Sequence, residues 1–164
     1  MRITDKYVFF YGGIYSNWFP CEFFWKDVKF NCSEQAMMWA KAMVFGDEES
    51  AKKIMQTKHP SEQKALGKKV KNFDPNAWEQ VCVDLVTEIC YCKFSQNKHL
   101  ALQMLKDGFG RKFVEASPFD KIWGIGLAVH DGRVLNESNW DGSNYLGICL
   151  DTVYVNLKRE ITYL

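Results

Sequence analysis

The sequence predicts a predominantly helical α+β fold, formed as a single compact domain over residues 1–164 with a few short strands. Three observations carry this. Apolar positions recur at helical spacing through "PNAWEQVCVDLVTEICYCKF" (75–94) and "YLGICLDTVYVNLKRE" (145–160). Strand-forming residues come only in short runs closed by glycine or turn residues. No repeat, linker or low-complexity segment interrupts the chain, and 164 residues suffice for one hydrophobic core.

In chain order, "KYVFFYGG" (6–13) reads as a strand ending in a glycine turn. "CEFFWKDVKFNC" (21–32) reads as two short strands around a "KD" turn. Ser33 then caps a helix running to about Phe45. "DEESAKKIMQ" (47–56) is a second helix, with acids in its first turn where the helix dipole favours them. Pro60 opens a third helix through "PSEQKALGKKVKNF" (60–73), and Pro75 opens the long fourth. "HLALQMLKDG" (99–108) is short and stops at Gly108. Residues 111–144 are rich in Gly, Asp and Asn, with strand-like pieces at "KFVEA" (112–116) and "IGLAV" (125–129). A final helix begins near Asn144.

Charge and cysteine usage narrow the function classes. The 21 Lys and Arg against 20 Asp and Glu leave a net charge of +1, so no broad field draws the chain to nucleic acid or membrane. A local basic groove stays compatible with that balance. The chain opens without a signal peptide and holds no run long enough to span a membrane. Its six cysteines therefore read as free thiols of a soluble cytoplasmic protein. No CxxC pair occurs and the three histidines stand apart, so neither a metal nor another cofactor is expected. No feature points to an obligate protein partner.

The stretch "CSEQAMMWAKAMVF" (32–45) raises the chemical question. It is apolar nearly all round, as buried helices are, yet it carries Glu34 and Lys41. Seven residues return a helix almost to the same face, so the two share a stripe with Met38. Lys41 could snorkel past Met38 to water, with Glu34 a simple dipole partner. Alternatively the stripe lines a pocket. Desolvation would then favour a neutral amine able to attack a carbonyl-like carbon, with a carboxylate moving protons.

Further polar groups beside aromatics suit a pocket. "EASPFDKIWGIG" (115–126) places Glu115, Asp120 and Trp123 close together, with Gly124 allowing close backbone approach. "SNWFP" (16–20) offers Asn17 and Trp18, and "WDGSNYLG" (140–147) offers Asn144. Each could be turn chemistry alone. Together they supply stacking faces, amides for base edges and carboxylates for ribose hydroxyls. The run "KALGKKVK" (64–71) reads as a solvated helix face that can contribute one phosphate contact from Lys68 or Lys69.

In order along the chain, "SNWF" (16–19), "SEQAMMWAKA" (33–42), "ALGKKV" (65–70), "KFSQN" (93–97), "VEAS" (114–117), "DKIWGIG" (120–126) and "WDGSNYLG" (140–147) resemble the YbiA-like, or NADAR, family. None is specific alone, and the seven together run over almost the whole chain. The resemblance implies a small α+β fold and N-glycosidase chemistry at the bond between ribose C1 and a base amino group. It implies an ADP-ribosyl nucleotide substrate, with ADP-ribosylated nucleic acid among the candidates, or a phosphoribosylamino-pyrimidine of riboflavin synthesis. The family's lysine, proposed as a covalent nucleophile on the opened ribose, falls on Lys41, and its glutamate on Glu34. Glu115, Asp120, Trp123 and Asn144 match positions expected near the ligand. Two departures stand out. Lys68 occupies a position where many relatives have arginine, which removes a bidentate phosphate fork. Gln35 follows the glutamate where some relatives carry histidine, which argues against a histidine relay there.

The resulting expectation is a hydrolase that removes ADP-ribose from guanine. Lys41 is the nucleophile through a Schiff base, and Glu34 or Asp120 transfers protons. Asn17, Trp18, Gln35, Lys68, Glu115, Trp123, Gly124 and Asn144 contact substrate, converging on Lys41. A non-catalytic ADP-ribose or nucleotide-binding module is the alternative from another class.

Overall fold

The computed structural model describes residues 1–162. In chain order the elements are β1 (Arg2–Ile3), β2 (Tyr7–Phe10), β3 (Phe23–Trp25), β4 (Val28–Phe30), α1 (Ser33–Val44), α2 (Glu48–Gln56), α3 (Pro60–Gly67), α4 (Pro75–Ser95), α5 (Lys98–Asp107), β5 (Lys112–Glu115) and α6 (Tyr145–Thr162). Two short 3-10 helices, Gly132–Leu135 and Glu137–Asn139, lie between β5 and α6. The fold is α+β and predominantly helical. It comprises two compact units, residues 1–16 with 97–164, and residues 17–96.

The first unit holds a three-stranded sheet in the order β1-β2-β5, with β1 antiparallel and β5 parallel to β2. All four residues of β2 are buried, which explains why its sequence is an unbroken apolar run rather than an alternation. Tyr7, Phe9, Val114, Ala116, Ile125 and Leu127 form a core under this sheet, with Trp140 packed against it. Residues 125–129 are not the strand their pattern suggests. Ile125, Leu127 and Val129 are buried alternately, but Gly126, at φ 70°, breaks the extended backbone between them. Side chains reach the core there without a ladder of hydrogen bonds.

The second unit packs α1 against α2, α3 and α4, with the β3–β4 hairpin beside them. At Gly67 the backbone of α3 lies against Met38 of α1, so that a Cβ there would run into the Met38 sulfur. The third helix ends at Gly67, well short of Phe73. The cap of α1 also differs from expectation. Cys32, not Ser33, is the N-cap, and its Sγ accepts the Gln35 N–H at 3.5 Å. Nor is α1 buried all round: Met43 and Val44, in its last turn, are about half exposed.

The hairpin turn yields a stability test. Lys26 and Asp27 both take positive φ, 50° and 62°, as a two-residue turn matching the twist of its strands requires. A non-glycine residue is strained there. Asp27→Gly is expected to raise the unfolding free energy by roughly 0.5–1 kcal/mol, read by denaturant titration. A loss of that size would show that the Asp27 side chain matters more than its backbone strain.

Candidate active site

In the second unit, the site is organised by the start of α1. The Glu34 N–H, one of the donors a helix leaves open at its first turn, binds the Asn17 carbonyl at 2.8 Å. Asn17 is itself buried, and its Oδ1 lies 4.0 Å from Cys90 Sγ on α4. Trp18, next in the chain, is 44% exposed and offers a ring face to solvent. Glu34 is 3% exposed. Gln35 is held among backbone groups. Its Oε1 accepts the Asn31 N–H at 2.9 Å, and its Nε2 donates to the Ile54 and Thr57 carbonyls at 3.2 and 3.3 Å. Those bonds occupy its amide in fixing the beginning of α1.

Lys41 emerges two turns along α1, about 10 Å further along the helix axis. It is half-buried. Burial lowers its pKa below the ordinary lysine value, while the Glu34 charge acts in the opposite direction. Its Nζ stands 4.0 Å from the centre of the Phe73 ring. The resting amine is thus partly desolvated and faced by an aromatic ring. Lys68 is exposed just past the end of α3, where its ammonium is available as a point charge.

Sequence reasoning missed a second amine in this unit. Lys93, on α4, is 1% exposed, and desolvation lowers its pKa to about 8. The thiols of Cys90, Cys21 and Cys32 act on its charge, and the rings of Phe19 and Phe94 lie 5.5 and 5.2 Å from its Nζ. The signal lay in spacing. Val86, Ile89, Cys90 and Lys93 continue one buried stripe of α4, on which a lysine is out of place.

In the first unit, the remaining residues gather around the end of β5. Asp120 Oδ1 accepts the N–H groups of Ile122 and Trp123 at 2.9 and 2.8 Å, so the carboxylate shapes its own turn. Gly124 lies so close to the Glu115 and Asp120 carbonyls that a Cβ would approach them to 2.9 and 3.0 Å. Trp123 is partly exposed and meets Tyr145 edge to face, centroids 5.9 Å apart. Asn144 takes a positive φ of 53° just before α6. Its Oδ1 accepts the Glu115 N–H at 3.0 Å and its Nδ2 donates to the Phe113 carbonyl at 3.1 Å, as a neighbouring strand would. Asn144 therefore positions Glu115 through its backbone. Within this unit the structure brings Glu115, Asp120, Trp123, Gly124 and Asn144 into one neighbourhood.

Among the described residues, no group of three or more His, Cys, Asp and Glu is placed to hold a metal ion, and no helix is long and apolar enough to cross a membrane. All six cysteines are free thiols.

The model of the NADAR domain matches residues 9–158. An N-glycosidase of Acanthamoeba polyphaga mimivirus is 42% identical over 159 residues, covering 88% of this chain and 92% of that protein. A riboflavin biosynthesis protein of Vibrio vulnificus is 26% identical over 99% of this chain and 41% of its own length. The solution structure of the Escherichia coli protein YbiA superposes with a TM-score of 0.79, covering 98% of this chain and 90% of that one at 22% identity, a likeness of fold.

The burial of Lys93 makes a prediction about pH. Its pKa of about 8 in the folded chain lies below the ordinary 10.5, so the unfolded chain holds this proton more tightly. The resulting contribution to stability is present in full above 10.5 and is lost as pH falls through 8. Lys93→Met removes it while nearly keeping the volume. From pH 7.5 to 10, the unfolding free energy of the wild type should gain on that of the variant by roughly 2 kcal/mol. Denaturant titration of both at each pH measures this, and titrations common to the two proteins cancel. A pH-independent difference would mean that the ammonium is not held desolvated.

Proposed function

The chain belongs to the NADAR domain family, and from that membership we propose that it is an N-glycosidase removing ADP-ribose from ADP-ribosylated guanine, residues 1–164 acting as one functional domain. The observation that carries this reading is Lys41. It is half-buried, its charged form is disfavoured by burial, and it shares a stripe of α1 with the enclosed carboxylate of Glu34. An amine so placed is suited to nucleophilic attack.

The proposed chemistry uses the lone pair of the guanine amino nitrogen to open the ribose. The bond from C1 to the ring oxygen breaks, the oxygen takes a proton, and C1 becomes an iminium carbon. Neutral Lys41 adds to C1, and Glu34 moves a proton from the lysine nitrogen to the guanine nitrogen. The C1–guanine bond then breaks, leaving an imine between Lys41 and C1. Water adds to that imine, frees the lysine and leaves the ribose aldehyde to close again. Trp18 offers a stacking face to base or adenine, worth about 1–3 kcal/mol. Asn17 and Gln35 shape the backbone around the ligand, and Lys68 meets phosphate.

A second substrate, a phosphoribosylamino-pyrimidine, is favoured by one observation. The Vibrio vulnificus relative is named for riboflavin biosynthesis. The same lysine chemistry serves either substrate.

The test is incubation with ADP-ribosylated guanosine and, separately, with a phosphoribosylamino-pyrimidine, with the products separated. Free ADP-ribose and guanosine are the expected products. Lys41→Arg should reduce turnover by at least ~10³-fold, because arginine stays protonated. Glu34→Gln should reduce it roughly 10²–10⁴-fold. Turnover of only the pyrimidine would reassign the substrate. Binding of ADP-ribose with no product from either compound would make the chain a binding module.

A further inference from the structure

We propose that Phe73 is the positioning residue of Lys41. Its ring face seats the ammonium in the resting protein and lets the amine go once it has lost its charge. The inference rests on the reading of Lys41 as nucleophile and adds to it a residue that no motif contains.

The geometry is specific. Lys41 Nζ lies 4.0 Å from the Phe73 centroid, inside the range over which a ring quadrupole attracts a cation. The ring is braced from the side by Phe45, the residue closing α1, edge to face at 5.3 Å and 78°. Its backbone is fixed on both flanks. The Lys71 N–H donates to Asp47 at 2.9 Å, and Lys71 Nζ donates to Glu49 at 3.0 Å. On the other side Asp74 caps α4 by accepting the Asn76 and Ala77 N–H groups. Asn72, at φ 58°, turns the chain between these anchors. A phenylalanine left 39% exposed on so constrained a segment contributes little to a core.

The ring attracts only the charged amine, and that is what makes it a seat rather than a wall. Glu34, on the same helix, is the charge that acts on Lys41. On the segment carrying the ring, Lys71 is engaged by Glu49 and Asp47. When Lys41 gives up its proton, the attraction to the ring disappears, and the flexible four-carbon stem is free to carry the nitrogen to a substrate carbon.

The experiment replaces Phe73 alone with 4-fluoro-, 3,5-difluoro- and 3,4,5-trifluorophenylalanine, which drain the ring face of charge at nearly constant shape. Competitive acetylation of the whole protein at neutral pH, read by peptide mass spectrometry against exposed Lys52, reports the free-amine fraction of Lys41 without any substrate. Labelling of Lys41 should rise stepwise along the series, by roughly threefold at its end. Phe73→Leu should likewise raise the labelling of Lys41 while leaving KM nearly unchanged, since it removes the seat and not a substrate contact. Labelling that stays flat along the series overturns the proposal, whatever Lys41→Arg does to turnover. A rise in KM with kcat unchanged for Phe73→Leu would also overturn it, by making Phe73 a substrate contact.

Discussion

The hydrogen bond from the Glu34 N–H to the Asn17 carbonyl, 2.8 Å long, fixes where α1 begins. The placement of Glu34 and Lys41 follows from that register. Cys32 caps the same turn, and Gln35 ties it to Asn31, Ile54 and Thr57. Gln63, buried on α3, extends the network to the Asn31 side chain and the Thr57 carbonyl, each at 3.1 Å. A slip of one residue would swing Glu34 and Lys41 by about 100° around the helix. With the start locked, Glu34 is enclosed and Lys41 comes to the edge of the packed face.

The two buried amines of this unit show how exposure divides function from framework. Lys93 is sealed, so no substrate atom can reach it without the fold opening. Lys41 is half-buried, beside a carboxylate on its own helix and an aromatic ring. Burial favours the neutral amine in both, but only Lys41 combines that bias with access. A reactive lysine needs both properties.

Much of this was legible in the sequence, wherever a local rule decided the outcome. Pro60 and Pro75 open α3 and α4 as their fixed φ favours, and the "KD" turn closes the β3–β4 hairpin. Glu34 and Lys41 could be paired on one stripe because helical spacing alone places them there. What stayed hidden depended on distant contacts. The Asn144 side chain mimics a strand partner for β5, 29 and 31 residues away, and no pattern around it announces that. A thiol is a weak acceptor, so the ordinary capping preference points to Ser33 although Cys32 caps α1. The alternation at 125–129 reported burial correctly and backbone wrongly, because Gly126 bends the chain without disturbing which side chains face inward. Phe73 follows no periodicity, and its meaning appears only once Lys41 lies against it.

The central claim is covalent, and trapping tests it most directly. An imine between Lys41 and ribose C1 should be reduced by borohydride to a stable secondary amine during turnover. Digestion and mass spectrometry should then find the sugar-bearing mass on the peptide that contains Lys41, and on no other lysine. Turnover with no trappable adduct, or an adduct at a different lysine, would contradict Lys41 as the nucleophile.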